Sequence, residues 1–97
     1  MSCTTRNEVL ELAKSKLDDL VQLTSDLIKI PSENPIGTQR DVVDFVKKYL
    51  SEAGIACEEV GCNPEHPCVV AKIGKEEGFS VILNGHVDVV PAGDRNQ

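Results

Sequence analysis

At 97 residues the chain has room for one small domain and not for two, and folding at this size buries only about 60–65% of the unfolded surface. Apolar residues make up 40% and charged residues 27% of it, with no low-complexity stretch and no apolar run of the ~20 residues a membrane span needs, so neither a disordered tail nor a spanning helix fits. Sixteen acidic against ten basic residues leave a formal charge of −6 and no basic cluster for phosphates, which argues against nucleic acid as a partner.

Met1 to Lys16 lacks the apolar centre of a secretory signal, because Glu8, Glu11, Lys14 and Lys16 interrupt it, so a cytoplasmic location is expected. In that setting Cys3, Cys57, Cys62 and Cys68 are expected to stay reduced. The first predicted element is a helix opening at Thr5, whose hydroxyl can cap the first turn while Glu8 reaches back to complete a capping box. Val9, Leu12, Ala13, Leu17, Leu20, Val21, Leu27 and Ile28 then recur at spacings of three and four, one apolar stripe on a helix that Pro31 ends at about Lys29 or Ile30. Pro31 to Gly37, with prolines at 31 and 35, reads as loop. Thr38 is predicted to cap a second helix with Asp41 three residues on, burying Val42, Phe45, Val46, Tyr49, Leu50 and Ala53 and ending at Gly54.

Beyond Gly54 the period changes. Ile55 to Val60, Cys68 to Ile73 and Phe79 to Leu83 read as three strands of a mixed sheet, which makes the fold class α/β, two helices followed by three strands. Val81, Ile82 and Leu83 are apolar on both faces, a pattern suited to a central strand covered above and below.

The stretch from Leu83 to Gly93 carries the chemistry. In extended backbone, residues two apart share a side, so Asp88 can hydrogen-bond one imidazole nitrogen of His86 and leave the other free for a metal. The carboxylate then fixes the tautomer and makes the imidazole a better donor. Gly85 removes bulk beside it, and a strand over Phe79 to Leu83 would place His86 beyond a carboxyl end, where open α/β sheets bind ligands. Two bland readings stand beside this one. Asn84-Gly85 is a strong hairpin signal that would pair Val81 to Leu83 with Val87 to Val89. A His beside an Asp can also be a surface hydrogen bond and nothing more.

Cys57, Cys62, His66 and Cys68 could surround a zinc ion, but paired Cys-x2-4-Cys knuckles are missing, and buried free thiols explain them better. Glu58, Glu59, Glu76 and Glu77 read as solvated charges with no Lys or Arg placed to pair with them. Phe45 and Tyr49, one turn apart, read as core. Glu33 and Asp94 sit in loops that could approach His86, without a role that the sequence assigns.

The segment Asn84-Gly-His86-Val-Asp88-Val-Val-Pro91-Ala-Gly93 resembles the first metal-site motif of the aminoacylase, acetylornithine deacetylase, succinyl-diaminopimelate desuccinylase and glutamate carboxypeptidase family. Leu27-Ile-Lys-Ile-Pro-Ser32 with Asn34-Pro35 is similar to that family's loop after its first helix, and Asp41 to Ile55 to its second helix and the start of its first strand. The resemblance implies that residues 1–97 are the N-terminal portion of one α/β/α metallohydrolase catalytic domain. It implies that His86 is a ligand of one of two zinc or cobalt ions and that Asp88 is the catalytic-site carboxylate orienting it. The implied reaction is hydrolysis of the amide bond of an N-acyl amino acid or small peptide by a metal-activated water, with neither nucleic acid nor membrane as partner. The family's remaining ligands and its general base lie downstream of this motif, so the 97 residues alone are expected to be inactive and to bind metal weakly. The alternative is a free-standing α/β binding or interaction module without metal.

Overall fold

The computed structural model describes residues 5–34, 37–91 and 93. Cys3, Pro35, Ile36, Ala92 and Asp94, which entered the argument above, lie outside the described residues.

The predicted capping box is formed: Thr5 Oγ1 accepts from the Glu8 N–H at 3.2 Å, and the Glu8 carboxylate accepts from the Thr5 N–H at 3.1 Å. The single long helix, however, is two helices, α1 over Arg6–Ser15 and α2 over Leu17–Ile28, with a bend at Lys16 where ψ opens to 2°. Ser15 Oγ donates to the Leu12 carbonyl at 2.6 Å, and the Lys16 N–H is shared between the Leu12 and Ala13 carbonyls at 3.2 Å each. That side-chain competition and the tightened turn account for the bend. The expected buried stripe is open surface instead, since Val9, Leu12, Leu17, Leu20, Val21 and Ile28 are 53–77% exposed. Among the described residues no helix is long and apolar enough to cross a membrane.

Helix α3 spans Arg40–Glu52, and its N-cap is Gln39, one residue later than the sequence suggests. Thr38 is diverted: its hydroxyl accepts from the Arg40 N–H but donates to the Glu65 carbonyl at 2.6 Å, tying the helix start to the turn after the first strand. Asp41 sits in the first turn, where the helix dipole favours a carboxylate. Val42 and Val43 are the most buried apolar side chains, with Phe45, Val46 and Leu50 half-buried beside them, whereas Tyr49 and Ala53 stay exposed. Phe45 and Tyr49 stack with ring centroids 6.5 Å apart. The helix ends as expected, with Gly54 at φ +79° and the Ile55 N–H reaching the Leu50 carbonyl at 2.9 Å.

Strands β1, Cys57–Val60, and β2, Cys68–Ala71, pair antiparallel in the register Cys57↔Ala71 to Val60↔Cys68, and α3 packs against both. Arg40 clamps the helix to the sheet. Its Nη1 meets Glu59 Oε1 at 2.8 Å, its Nη2 meets both Glu59 Oε2 and Asp44 Oδ1, and Lys47 Nζ adds a contact to Glu59 at 3.1 Å. Glu59 is therefore not the unpaired charge that sequence spacing suggested, because its partners lie on another element. The Arg40 guanidinium, and then Lys47, pull the Glu59 carboxyl down to about 2, while the two carboxylates hold Arg40 above its ordinary range.

The third strand does not form. Phe79, Val81, Ile82 and Leu83 are 84–107% exposed, and among the described residues nothing pairs with their backbone. An apolar run reports that a segment leaves water, but a strand also needs a neighbour to accept its backbone hydrogen bonds. Among the described residues the sheet is thus two-stranded and antiparallel, and with three helices beside it the chain is mixed α/β. The radius of gyration, 16.7 Å against about 13 Å for a compact domain of this length, agrees with a core confined to the face of α3.

Candidate functional site

The loop after α2 returns 55 residues later as one side of a short parallel pairing. The Val89 N–H donates to the Ser32 carbonyl at 3.1 Å, and the Asn34 N–H donates to the Val89 carbonyl at 2.8 Å, bridging Glu33 and Val89. Ser32 is buried, and its Oγ donates to the Val87 carbonyl at 2.7 Å, a bond spanning 55 residues of sequence. Residues 32–34 therefore act as a strap along residues 87–89. Gly37 closes the strap's turn: its N–H donates to the Glu33 carbonyl at 2.8 Å, and a Cβ there would lie 2.7 Å from that same oxygen.

On the strapped segment His86 and Asp88 point the same way, as their spacing requires. His86 Nδ1 lies 2.9 Å from the Asp88 carbonyl and 3.2 Å from Asp88 Oδ1. Both neighbours are acceptors, so Nδ1 carries the proton and Nε2 presents a lone pair. Among the described residues Nε2 has no hydrogen-bond partner, and the His86 side chain is 85% exposed. The other carboxylate oxygen, Asp88 Oδ2, accepts from Asn34 Nδ2 at 3.1 Å. The Asn34 amide is the main reason the Asp88 carboxyl lies below its usual range; partial burial opposes it and the nearby His86 adds to it. Asn34, His86, Asp88, Val89 and Val90 line a concavity of about 410 Å³.

The strap is held from behind by Gln39, the cap of α3. Gln39 is buried, its Nε2 donates to the Ser32 carbonyl at 3.3 Å, and its Oε1 accepts from His66 Nδ1. Its backbone N–H reaches the Glu65 carbonyl at 3.0 Å. Helix start, strap and the turn before β2 thus meet at one amide side chain.

The structure brings His86 and Asp88 together on a segment that is extended and not hairpinned: no ladder joins Val81 to Leu83 with Val87 to Val89. His86 does not follow a paired strand, since Phe79 to Leu83 is unpaired. Nor does Gly85 relieve crowding, because a Cβ there would meet open space. Cys57 and Cys68 sit at opposite ends of the β1–β2 ladder, about 10 Å apart along the strands, and His66 Nδ1 is taken by Gln39. Cys57, Cys62 and Cys68 are free thiols but not buried ones: Cys57 is half-buried, and Cys62 and Cys68 are exposed. Among the described residues no group of three His, Cys, Asp or Glu side chains converges as a metal cage. What fits a metal is narrower: one imidazole with its proton fixed by carboxylate and carbonyl and its second nitrogen open, the state in which histidine ligates. Sequence reasoning missed Ser32, Asn34 and Gln39. The only signal was a polar pair inside a proline-bounded loop.

This is an α/β chain whose return segment carries a His-x-Asp pair strapped to an upstream Ser-x-Asn. Comparison with known proteins gives the chain's relatives. A succinyl-diaminopimelate desuccinylase of Cereibacter sphaeroides is 38% identical over 77 residues, covering 78% of this chain and 20% of the relative. One of Ruegeria sp. strain TM1040 is 37% identical over 81 residues, covering 78% of the chain and 19% of the relative. A probable succinyl-diaminopimelate desuccinylase of Staphylococcus epidermidis is 35% identical over 79 residues, covering 80% and 18%. The chain belongs to the amidohydrolase family of the aminoacylases, acetylornithine deacetylases, succinyl-diaminopimelate desuccinylases and glutamate carboxypeptidases. It spans about a fifth of the length of the curated relatives it matches. No family model and no solved structure matches it.

Proposed function

We propose that this chain forms part of a metal-dependent amidohydrolase acting on an N-acyl amino acid or small peptide. The observation that carries the reading is the His86 imidazole, its Nδ1 held 3.2 Å from Asp88 Oδ1 and its Nε2 left open, within a chain similar to desuccinylases. In this reading His86 holds one of two zinc or cobalt ions and Asp88 keeps its imidazole in the ligating tautomer. A metal pair, when bound, supplies a water of lowered pKa and a Lewis acid for the amide carbonyl. The free-standing module reading leaves Phe79, Val81, Ile82 and Leu83 uncovered, which monomers seldom tolerate over a large patch. A longer protein in which further strands flank this segment removes that difficulty.

The test is an assay of a protein carrying this chain at the length of its relatives, with N-succinyl and N-acetyl amino acids as substrates. Hydrolysis is expected to stop on chelation, to return with zinc or cobalt, and to fall at least ~100-fold in His86→Ala. Full activity in the metal-stripped protein, or in His86→Ala, would contradict the proposal. A hydrolytic zinc site normally needs three protein ligands. With no three potential ligands converging among the described residues, the 97 residues by themselves are expected to bind zinc weakly and to leave such substrates intact. Tight binding of two ions in a calorimetric titration would show a donor set beyond His86.

A further inference from the structure

We propose that Asn34 is a positioning residue for the His86–Asp88 pair, acting from the strap by fixing which carboxylate oxygen faces the imidazole. A carboxylate beside an imidazole has two equivalent oxygens and a side chain free to rotate about its last torsion, so proximity alone does not hold it in plane with the ring. Here the two oxygens are divided between two partners: Oδ2 accepts from Asn34 Nδ2 at 3.1 Å and Oδ1 faces His86 Nδ1 at 3.2 Å. The donor approaches from an element 54 residues away in sequence, so its placement is a property of the fold.

The fold delivers it with little slack. Two backbone bonds of the strap, Asn34 N–H to the Val89 carbonyl and Val89 N–H to the Ser32 carbonyl, fix its register with Glu33 paired to Val89, so that the Asn34 amide reaches Asp88 diagonally across the pairing. Ser32 Oγ on Val87 and Gln39 Nε2 on Ser32 hold the strap from two further directions. A one-residue slip would put Glu33 or Pro35 where Asn34 now stands relative to Asp88. Proline has no donor, and glutamate would present a like charge where an amide donor now sits. The inference deepens the amidohydrolase reading by naming a residue that tunes the same donor, yet the geometry behind it is independent of any metal.

The experiment uses the 97-residue chain, labelled with nitrogen-15, and long-range proton–nitrogen spectra of its histidine rings at pH about 8, where imidazole is ordinarily neutral. In the parent chain the His86 ring is expected mainly as the Nδ1–H tautomer. Asn34→Ala is expected to move the tautomer ratio about three- to tenfold toward Nε2–H, the size that loss of one neutral donor bond allows. Asp88→Ala is expected to move it at least as far, and adding Asn34→Ala to Asp88→Ala is expected to change nothing more. The His66 ring, bonded to Gln39, serves as an internal reference that stays fixed. An unchanged His86 ratio in Asn34→Ala, or the same Asn34 effect without Asp88, would overturn the proposal.

Asn34→Asp keeps the shape and the backbone N–H but lacks the donor, and decides the matter if the alanine variant disturbs the strap. Disturbance by both, read from the Val89 amide, would also overturn the proposal, because the amide would then be holding backbone and not carboxylate. A parallel Co(II) titration followed by its visible spectrum separates this inference from the function. A tautomer shift without Co(II) on His86 keeps Asn34 and removes the metal reading; Co(II) binding without the shift does the reverse.

Discussion

Gln39 carries a single amide that bonds two other segments at once, and such groups are costly to remove because their partners stay behind. Replacing it by alanine empties a buried position, takes one of two donors from the buried Ser32 carbonyl, which keeps the Val89 N–H, and takes the acceptor from the exposed His66 ring. We expect Gln39→Ala to lower stability by about 1–3 kcal/mol, read as a fall in urea midpoint at unchanged slope. Glu59 makes the complementary case for charge. Its carboxyl is depressed from 4.5 to about 2 by Arg40 and Lys47, so its stabilisation is fully present above about 4.5 and is lost as pH falls toward about 2. Urea midpoints measured between those limits should decline more gently in Glu59→Gln than in the parent; parallel curves would show that the clamp contributes nothing. The His86-x-Asp88 pair was legible in the sequence because period-two geometry alone puts both side chains on one side. Asn34 and Gln39 were not, since their partners are separated from them by 54 and 27 residues and no local pattern encodes such meetings.

At the scale of elements, local chemistry proved readable and coverage did not. The Thr5–Glu8 box, the Gly54 stop, and β1 and β2, each two residues shorter than the strand expected, follow from side-chain reach, left-handed backbone and alternation within a few residues. The stripe along α1 and α2 has the right spacing too, but a stripe states which face is apolar and not whether anything covers it. The two classes of helix should therefore respond differently to truncation. Val42→Ala, at 2% exposure on α3, is expected to destabilise by about 1–3 kcal/mol, whereas Leu12→Ala, at 60% exposure on α1, should stay within about 0.5 kcal/mol. Equal effects in thermal or urea unfolding would show that α1 is packed in solution. The unpaired run Phe79 to Leu83 has the same origin: an apolar pattern on both faces describes an environment supplied from elsewhere in sequence.

For the whole molecule, that run is a fully exposed apolar segment whose backbone has no ladder partner among the described residues. Exposed strands of this kind template association. Ile82→Lys, at a position 87% exposed, is expected to leave stability within about 0.5 kcal/mol while lowering binding of an apolar dye and light scattering at high concentration. If the substitution unfolds the chain, Ile82 is packed in solution.

The bond from Ser32 to Val87 also sets a timetable. Helices α1 to α3 and the β1–β2 hairpin close over short stretches, whereas joining the strap to residues 87–89 encloses 55 residues and must await their arrival. During synthesis the imidazole and its carboxylate would thus emerge after the strap, already beside each other, and be locked only when the older loop captures them.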